Sequence, residues 1–175
     1  MTAARISYVS QGEFRASPDP NETLSTVLGS CVAACLWDPI AFIGGMNHFL
    51  LPNAGAGEDT ISSRYGINAM EMLINNMLKL GADRRRIRAK LFGGASISSN
   101  LADIGGLNAR FAKSFLLTED IPCVASSLGG TSARRITFHP TSGHARQLII
   151  EAPDPVRMPT VAPSPAAVPS NVVLF

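Results

Sequence analysis

The stretch LGSCVAACLWDPIAFIGGMNHFLLP, residues 28–52, decides the fold. Residues 32–37 and 42–51 are apolar runs separated by Asp38-Pro39, a turn-forming pair, so they read as the two strands of a hairpin. A turn centred between Pro39 and Ile40 pairs Trp37 with Phe42, Ala33 with Met46 and Cys31 with His48. Direct cross-strand neighbours have Cβ atoms about 4.5–5.5 Å apart on one sheet face, which brings a thiol and an imidazole within hydrogen-bond reach. A slip of one residue would put them on opposite faces.

Outward from the hairpin, residues 6–9 and 23–28 read as two short strands before Gly29, which is expected to allow a sharp turn exposing Cys31. After a Gly/Ala loop at residues 53–60, Ser62 or Ser63 is expected to cap a helix with Met70, Leu73, Ile74, Met77 and Leu80 on its apolar face and Gly81 as its stop. Residues 87–92 read as a strand ending at Gly93-Gly94, and residues 107–117 as a helix with Leu107, Phe111 and Phe115 on one face. Residues 125–128, 134–139 and 147–151 read as strands joined by turns. Strands flanking single helices suggest an α+β fold of mixed β-sheets with helices packed on the outside.

The chain has 175 residues, 46% hydrophobic and 16% charged, with a formal net charge of +2. That suits one domain over residues 1–151, followed from residue 152 to 175 by a Pro/Ala-rich tail expected to be disordered. Arg84, Arg85 and Arg86, with Arg88 and Lys90, form the one basic run, read as a solvated junction between helix and strand, so no nucleic-acid partner is expected. No secretory signal and no apolar stretch long enough to insert in a membrane is visible, and a cytoplasmic location is expected.

A thiol is a useful nucleophile as thiolate, which requires a base and, for acyl chemistry, donors to receive an oxyanion. Cys31 is the cysteine with such surroundings: His48 as base, and the backbone N–H groups of Ser30 and Cys31 as donors. The same spacing also fits Cys31 as a small buried apolar residue and His48 as an ordinary histidine at a strand end. Cys35 and Cys123 are expected in the core. Zinc is disfavoured, because on an extended strand Cys31 and Cys35 stand four residues apart at about 3.3 Å each, too far to share one ion. The Gly-Gly pairs lack the continuation of a phosphate loop and read as turns.

Leu28-Gly29-Ser30-Cys31-Val32-Ala33, then Trp37-Asp38-Pro39, then the run from Gly44 to Pro52, resemble in order and spacing the signature of the chemoreceptor glutamine deamidase family, CheD. Arg64-Tyr65, Ala69-Met70, the run from Lys90 to Ala95, Ile104-Gly105, Asn108 and Leu128-Gly129-Gly130-Thr131 extend the likeness over residues 5–151. The resemblance implies a layered α+β sandwich and a cysteine hydrolase without cofactor or metal. Such an enzyme converts glutamine side chains of methyl-accepting chemotaxis receptors to glutamate and ammonia through a thioester. By position Cys31 matches the nucleophile and His48 the general base and acid. The family's third member, a threonine, falls on Ser25, expected to orient His48, with Thr26 as the alternative. Ala133 stands where the family has glycine, which would strain the turn if that position needs a positive φ.

The resemblance also implies a pairing with CheC-type phosphatases, so the rival class is an adaptor that binds and regulates such a partner. A thiol protease or transglutaminase would share the first chemical steps.

Overall fold

A computed structural model describes residues 3–52, 59–97, 103–151 and 172–175. One sheet contains β1 (Arg5–Tyr8), β3 (Glu22–Leu28), β8 (Ala133–Phe138), β9 (Ala145–Ile150) and β10 (Val172–Leu174), in that order. The other runs β2 (Phe14–Ser17), β5 (Ile43–Asn47), β4 (Val32–Asp38), β6 (Arg88–Gly93), β7 (Cys123–Leu128). Both are mixed: β1 with β3 and β6 with β7 run parallel, and the other neighbours antiparallel. Helices α1 (Asp59–Leu80) and α2 (Ile104–Thr118) both contact the second sheet, giving the expected layered α+β architecture.

The alternation of β4 builds the three layers. Ala33, Cys35 and Trp37 point between the sheets, where they meet Leu24, Leu28, Ile136 and Phe138. Val32, Ala34 and Leu36 point the other way, against Met70, Leu73, Ile74 and Met77 of α1 and Ala112 and Phe115 of α2. A strand buried on both faces needs an uninterrupted apolar run, which residues 32–37 supply. Gly45 lets α1 settle on the sheet, since a Cβ there would lie 2.6 Å from Leu73 Cδ1.

The hairpin forms with a different register. Cys35 pairs with Met46 and Asp38 with Ile43, so the loop holds four residues, Pro39 to Phe42. Asp38 causes this: its Oδ1 accepts from the N–H groups of Ile40 (2.9 Å) and Ala41 (3.1 Å), its carbonyl accepts from Phe42, and Phe42 takes a φ of 55°. An Asx turn lengthens the loop beyond the two residues of a tight hairpin.

Other expectations shift at their edges. Helix α1 begins at Asp59, three residues before Ser62, whose hydroxyl donates instead to the carbonyl of Pro52 (2.8 Å). Helix α2 begins at Ile104 because Asp103 caps it, accepting from Gly106 N–H (2.9 Å). Its buried side is formed by Gly105, Asn108, Ala112, Phe115 and Leu116, leaving Leu107 exposed, and Leu80 of α1 is exposed too. Strand β2 has no counterpart among the expected elements.

Gly81 does end α1, at a φ of 114°. The Gly/Ala loop expected over residues 53–60 lies, through residue 58, outside the described residues. Residues 152–171 of the expected tail lie outside them as well. Val172–Leu174, by contrast, add a strand to β9, and Phe175 stacks edge-on against Phe92 at 5.2 Å. Beside an open strand edge a short chain end gains ladder hydrogen bonds, and here Phe175 gains an aromatic contact, neither of which composition reveals. Ala133 lies in β8 without a positive φ; Gly129 and Gly130 carry the left-handed turn, so alanine is accommodated.

The arginine run is a 3-10 turn that is paired rather than merely solvated. Arg84 bridges Glu71 and Glu119, Arg85 meets Asp83, and Arg86 clamps Asp38, which is fully buried. Burial alone would raise the Asp38 carboxyl, but Arg86 and the backbone N–H groups of Asp83, Ala41 and Ile40 hold it far below the usual range.

Candidate functional site

Cys31 lies immediately before β4, His48 immediately after β5, and both are buried, at 9% and 7% exposure. The bridge between Val32 and Phe49 continues the hairpin register, which places His48 opposite Ala33 rather than Cys31. The expected direct pairing is thus corrected by two residues. Because the slip is even, both side chains keep the same face, and they become diagonal neighbours, a relation that spans about 7–8 Å and stays within reach of longer side chains.

The imidazole is held by its Nδ1. Thr26 Oγ1 lies 2.8 Å from it and the carbonyl oxygen of Val9 3.2 Å, while Thr26 Oγ1 itself donates to that carbonyl at 2.7 Å. A carbonyl can only accept, so Nδ1 carries the proton and Nε2 presents a bare lone pair. Nε2 is buried and, among the described residues, has no hydrogen-bond partner. A neutral imidazole with its basic nitrogen unspent is what a general base requires.

Ser25 does not reach the ring. Its hydroxyl donates to the carbonyl of Ile136 (3.1 Å) in the neighbouring strand, because adjacent residues of β3 point to opposite faces. The expectation that Ser25 orients His48 is therefore replaced by its alternative, Thr26. Thr26 shares its face with Leu24 and Leu28, which point toward the second sheet. That parity is a signal present in the sequence.

The turn around Cys31 is fixed from the far side. Asn108 Nδ2 donates to the carbonyl of Ser30 (2.8 Å), while Asn108 Oδ1 accepts from Leu51 N–H (2.9 Å). A trans peptide directs the Cys31 N–H opposite to the Ser30 carbonyl. The carbonyl of Cys31 accepts from Gly94 N–H (2.8 Å). Gly93, at a φ of 109°, has no room for a side chain: a Cβ there would collide with the Cys31 carbonyl oxygen. Gly29 has no left-handed φ, so the glycine on which this bend depends is Gly93, at the end of β6, far along the chain from the thiol.

Burial raises the Cys31 thiol above its ordinary pKa, its own N–H offsetting part of the rise. Burial lowers His48, against the opposing pull of the Val9 carbonyl and the Glu13 charge. Both shifts favour a neutral thiol beside a neutral imidazole at rest. The thiol's hydrogen bond goes to Gln11 Oε1 at 3.5 Å, a residue that no motif singles out.

Cys35 is fully buried, as expected. Cys123 is not: it is exposed at the start of β7, an edge strand of its sheet. His48 lines a cavity of about 70 Å³ with Glu13, Tyr65, Asn68 and Met72. A larger groove of about 420 Å³ between α1 and α2 includes neither Cys31 nor His48. Among the described residues no cluster of three His, Cys, Asp or Glu side chains could hold a metal ion.

The family model described as CheD chemotactic sensory transduction matches residues 50–147, beginning just after His48. Relatives align over almost the whole chain. A probable chemoreceptor glutamine deamidase CheD of Caulobacter vibrioides (strain NA1000 / CB15N) is 52% identical over 172 residues, covering 96% of this chain and 92% of that protein. A protein of the same description from Acidiphilium cryptum (strain JF-5) is 56% identical over 156 residues, covering 87% and 82%. Among solved structures, Bacillus licheniformis hypothetical protein YfiH matches with a TM-score of 0.44 and 16% identity, over 71% of this chain and 60% of that one.

Proposed function

Because the chain belongs to the CheD family of chemotactic sensory transduction proteins, we propose that it is a protein-glutamine deamidase acting on chemoreceptors, with Cys31 as nucleophile. The observation that carries the site assignment is the state of His48: proton on Nδ1, ring pinned by Thr26 and Val9, Nε2 buried and unpartnered on the same sheet face as the thiol.

In this reading Nε2 of His48 takes the Cys31 proton as the sulfur attacks the Cδ carbonyl of a receptor glutamine. Starting from a neutral pair, proton transfer and attack are coupled, so the charged thiolate need not persist in a buried site. The backbone N–H groups of Ser30 and Cys31 receive the oxyanion. As the C–N bond breaks, His48 returns its proton to the leaving ammonia, leaving a thioester. The imidazole then activates water, which releases glutamate and restores the thiol. Thr26 keeps the ring in one tautomer throughout. No residue of the site calls for a metal or cofactor in any step.

The substrate amide is carried on a receptor, so contacts remote from the amide supply binding energy, and free glutamine should be a poor substrate. With receptor cytoplasmic regions as substrate, the protein works in the cytoplasm. No helix among the described residues is long and apolar enough to cross a membrane. A CheC-type phosphatase is proposed as a further partner; a Cys31→Ala variant should still bind it.

The test is to incubate the protein with a receptor cytoplasmic domain and follow ammonia together with peptide masses. Conversion of glutamine to glutamate is expected. Backbone cleavage or glutamine-lysine cross-links in place of that conversion would overturn the reaction type.

A further inference from the structure

The catalytic thiol already has a carboxamide on it, and that carboxamide belongs to the protein. Gln11 is an exposed residue in the connection from β1 to β2, yet its Oε1 accepts a hydrogen bond from the buried Cys31 thiol at 3.5 Å. The connection is fastened to the base as well as closed on itself. Gly12 N–H donates to the His48 carbonyl (2.7 Å), His48 N–H donates to the Glu13 carbonyl (3.0 Å), and Glu13 N–H donates to the Ser10 carbonyl (2.9 Å). Glu13 Oε2 accepts from Ser10 N–H (2.9 Å), and Gly12 makes the turn at a φ of 85°. The backbone that places His48 therefore also places Gln11 over Cys31.

A thiol has one proton to donate. Given to Gln11, it is not given to His48 Nε2, which among the described residues stands buried without a partner. We propose that the Gln11 carboxamide is an internal stand-in for the receptor glutamine: it occupies the place of the substrate amide at Cys31 and leaves when a substrate amide enters. This rests on the deamidase reading. The stand-in is not itself hydrolysed because its oxygen, rather than its carbonyl carbon, faces the sulfur. Once it is displaced, the thiol proton is free to turn to Nε2, so displacement and activation are one event. Gln11 is thus a positioning residue that sets how readily substrates enter.

The experiment compares wild type, Gln11→Ala and Gln11→Glu in the full chain. Circular dichroism melts confirm that each is folded, as an exposed turn position allows. The first arm needs no receptor: iodoacetamide labelling of Cys31 at one fixed pH, quantified by fragment masses. Removing one hydrogen bond should speed labelling in Gln11→Ala by about 2- to 10-fold. A carboxylate at the same place repels the thiolate, so Gln11→Glu should label more slowly than wild type. Equal rates in all three, or faster labelling of Gln11→Glu, would overturn the proposal whatever the enzyme's reaction.

The second arm is receptor deamidation, where loss of an internal competitor should lower KM in Gln11→Ala with kcat little changed. A raised KM would instead make Gln11 a substrate-binding group and overturn the stand-in role. If no variant or wild type deamidates the receptor while the labelling order holds, the enzyme reading fails and the contact between Gln11 and the thiol stands.

Discussion

Thr26→Val separates the hydroxyl that holds His48 from the one that does not. Valine keeps the shape of threonine and removes the oxygen that lies 2.8 Å from Nδ1 and donates to the Val9 carbonyl at 2.7 Å. Nδ1–H would still have that carbonyl at 3.2 Å, so the tautomer survives and the ring loses one of two anchors. The loss is then that of an orienting hydrogen bond, about 1–2 kcal/mol, or roughly 5- to 30-fold in kcat/KM. A wrong tautomer would cost about 10⁴-fold. Removing an acceptor also disfavours the charged ring, so the pH at which His48 limits the rate should fall. Ser25→Ala, whose hydroxyl serves Ile136 on the other face, should leave kcat/KM within about twofold after allowing for any loss of stability. Receptor deamidation measured by ammonia release across pH tests both. A Ser25→Ala loss exceeding that of Thr26→Val would refute the assignment.

Three further outcomes follow from the packing. Gly93→Ala forces a Cβ against the Cys31 carbonyl oxygen at a φ of 109°, and should cost at least about 2 kcal/mol in urea denaturation and deamidase activity with it. Arg86→Ala strands the buried Asp38 carboxylate with backbone donors alone and should lower the denaturation midpoint by the same measurement, with kcat unchanged where the protein remains folded. Glu22 is buried, which would raise its carboxyl, but hydrogen bonds from Ser17, Ser7, Arg15 and Arg5 outweigh this and bring it down to about 2. Its folded pKa is depressed, so its contribution is fully present above its unfolded value near 4.5 and is lost as pH falls toward 2. Melting temperatures of wild type and Glu22→Gln should differ most at neutral pH and converge toward pH 2; a constant gap would contradict the linkage.

The α+β class was legible because strand-like runs flank single helices, whereas the layered sandwich was implied by the resemblance to the CheD family; the hairpin itself was legible from the strand-like stretches on either side of Asp38-Pro39. The same stretch identified Cys31 and His48, and its parity was right even though its register was not. Register depends on loop length, and the Asx turn of Asp38 with Phe42 in a left-handed conformation is a four-residue event that the pair Asp38-Pro39 does not announce. Thr26 could have been chosen over Ser25 by asking which hydroxyl shares a face with Leu24 and Leu28. Gln11, Asn108 and Gly93 could not be tied to the thiol from spacing, since they come to it from separate parts of the chain. The strand at Val172–Leu174 was hidden for a different reason: a short apolar end acquires structure only from the edge of β9 that receives it.

The central claim is that the sulfur of Cys31 attacks the receptor amide. Wild type and Cys31→Ala, matched for melting temperature, should be incubated with a receptor cytoplasmic domain and each receptor glutamine followed by mass spectrometry. Glutamate at selected positions with wild type, and unchanged glutamine with the variant, is the predicted result; glutamate appearing at the same rate with Cys31→Ala would contradict it.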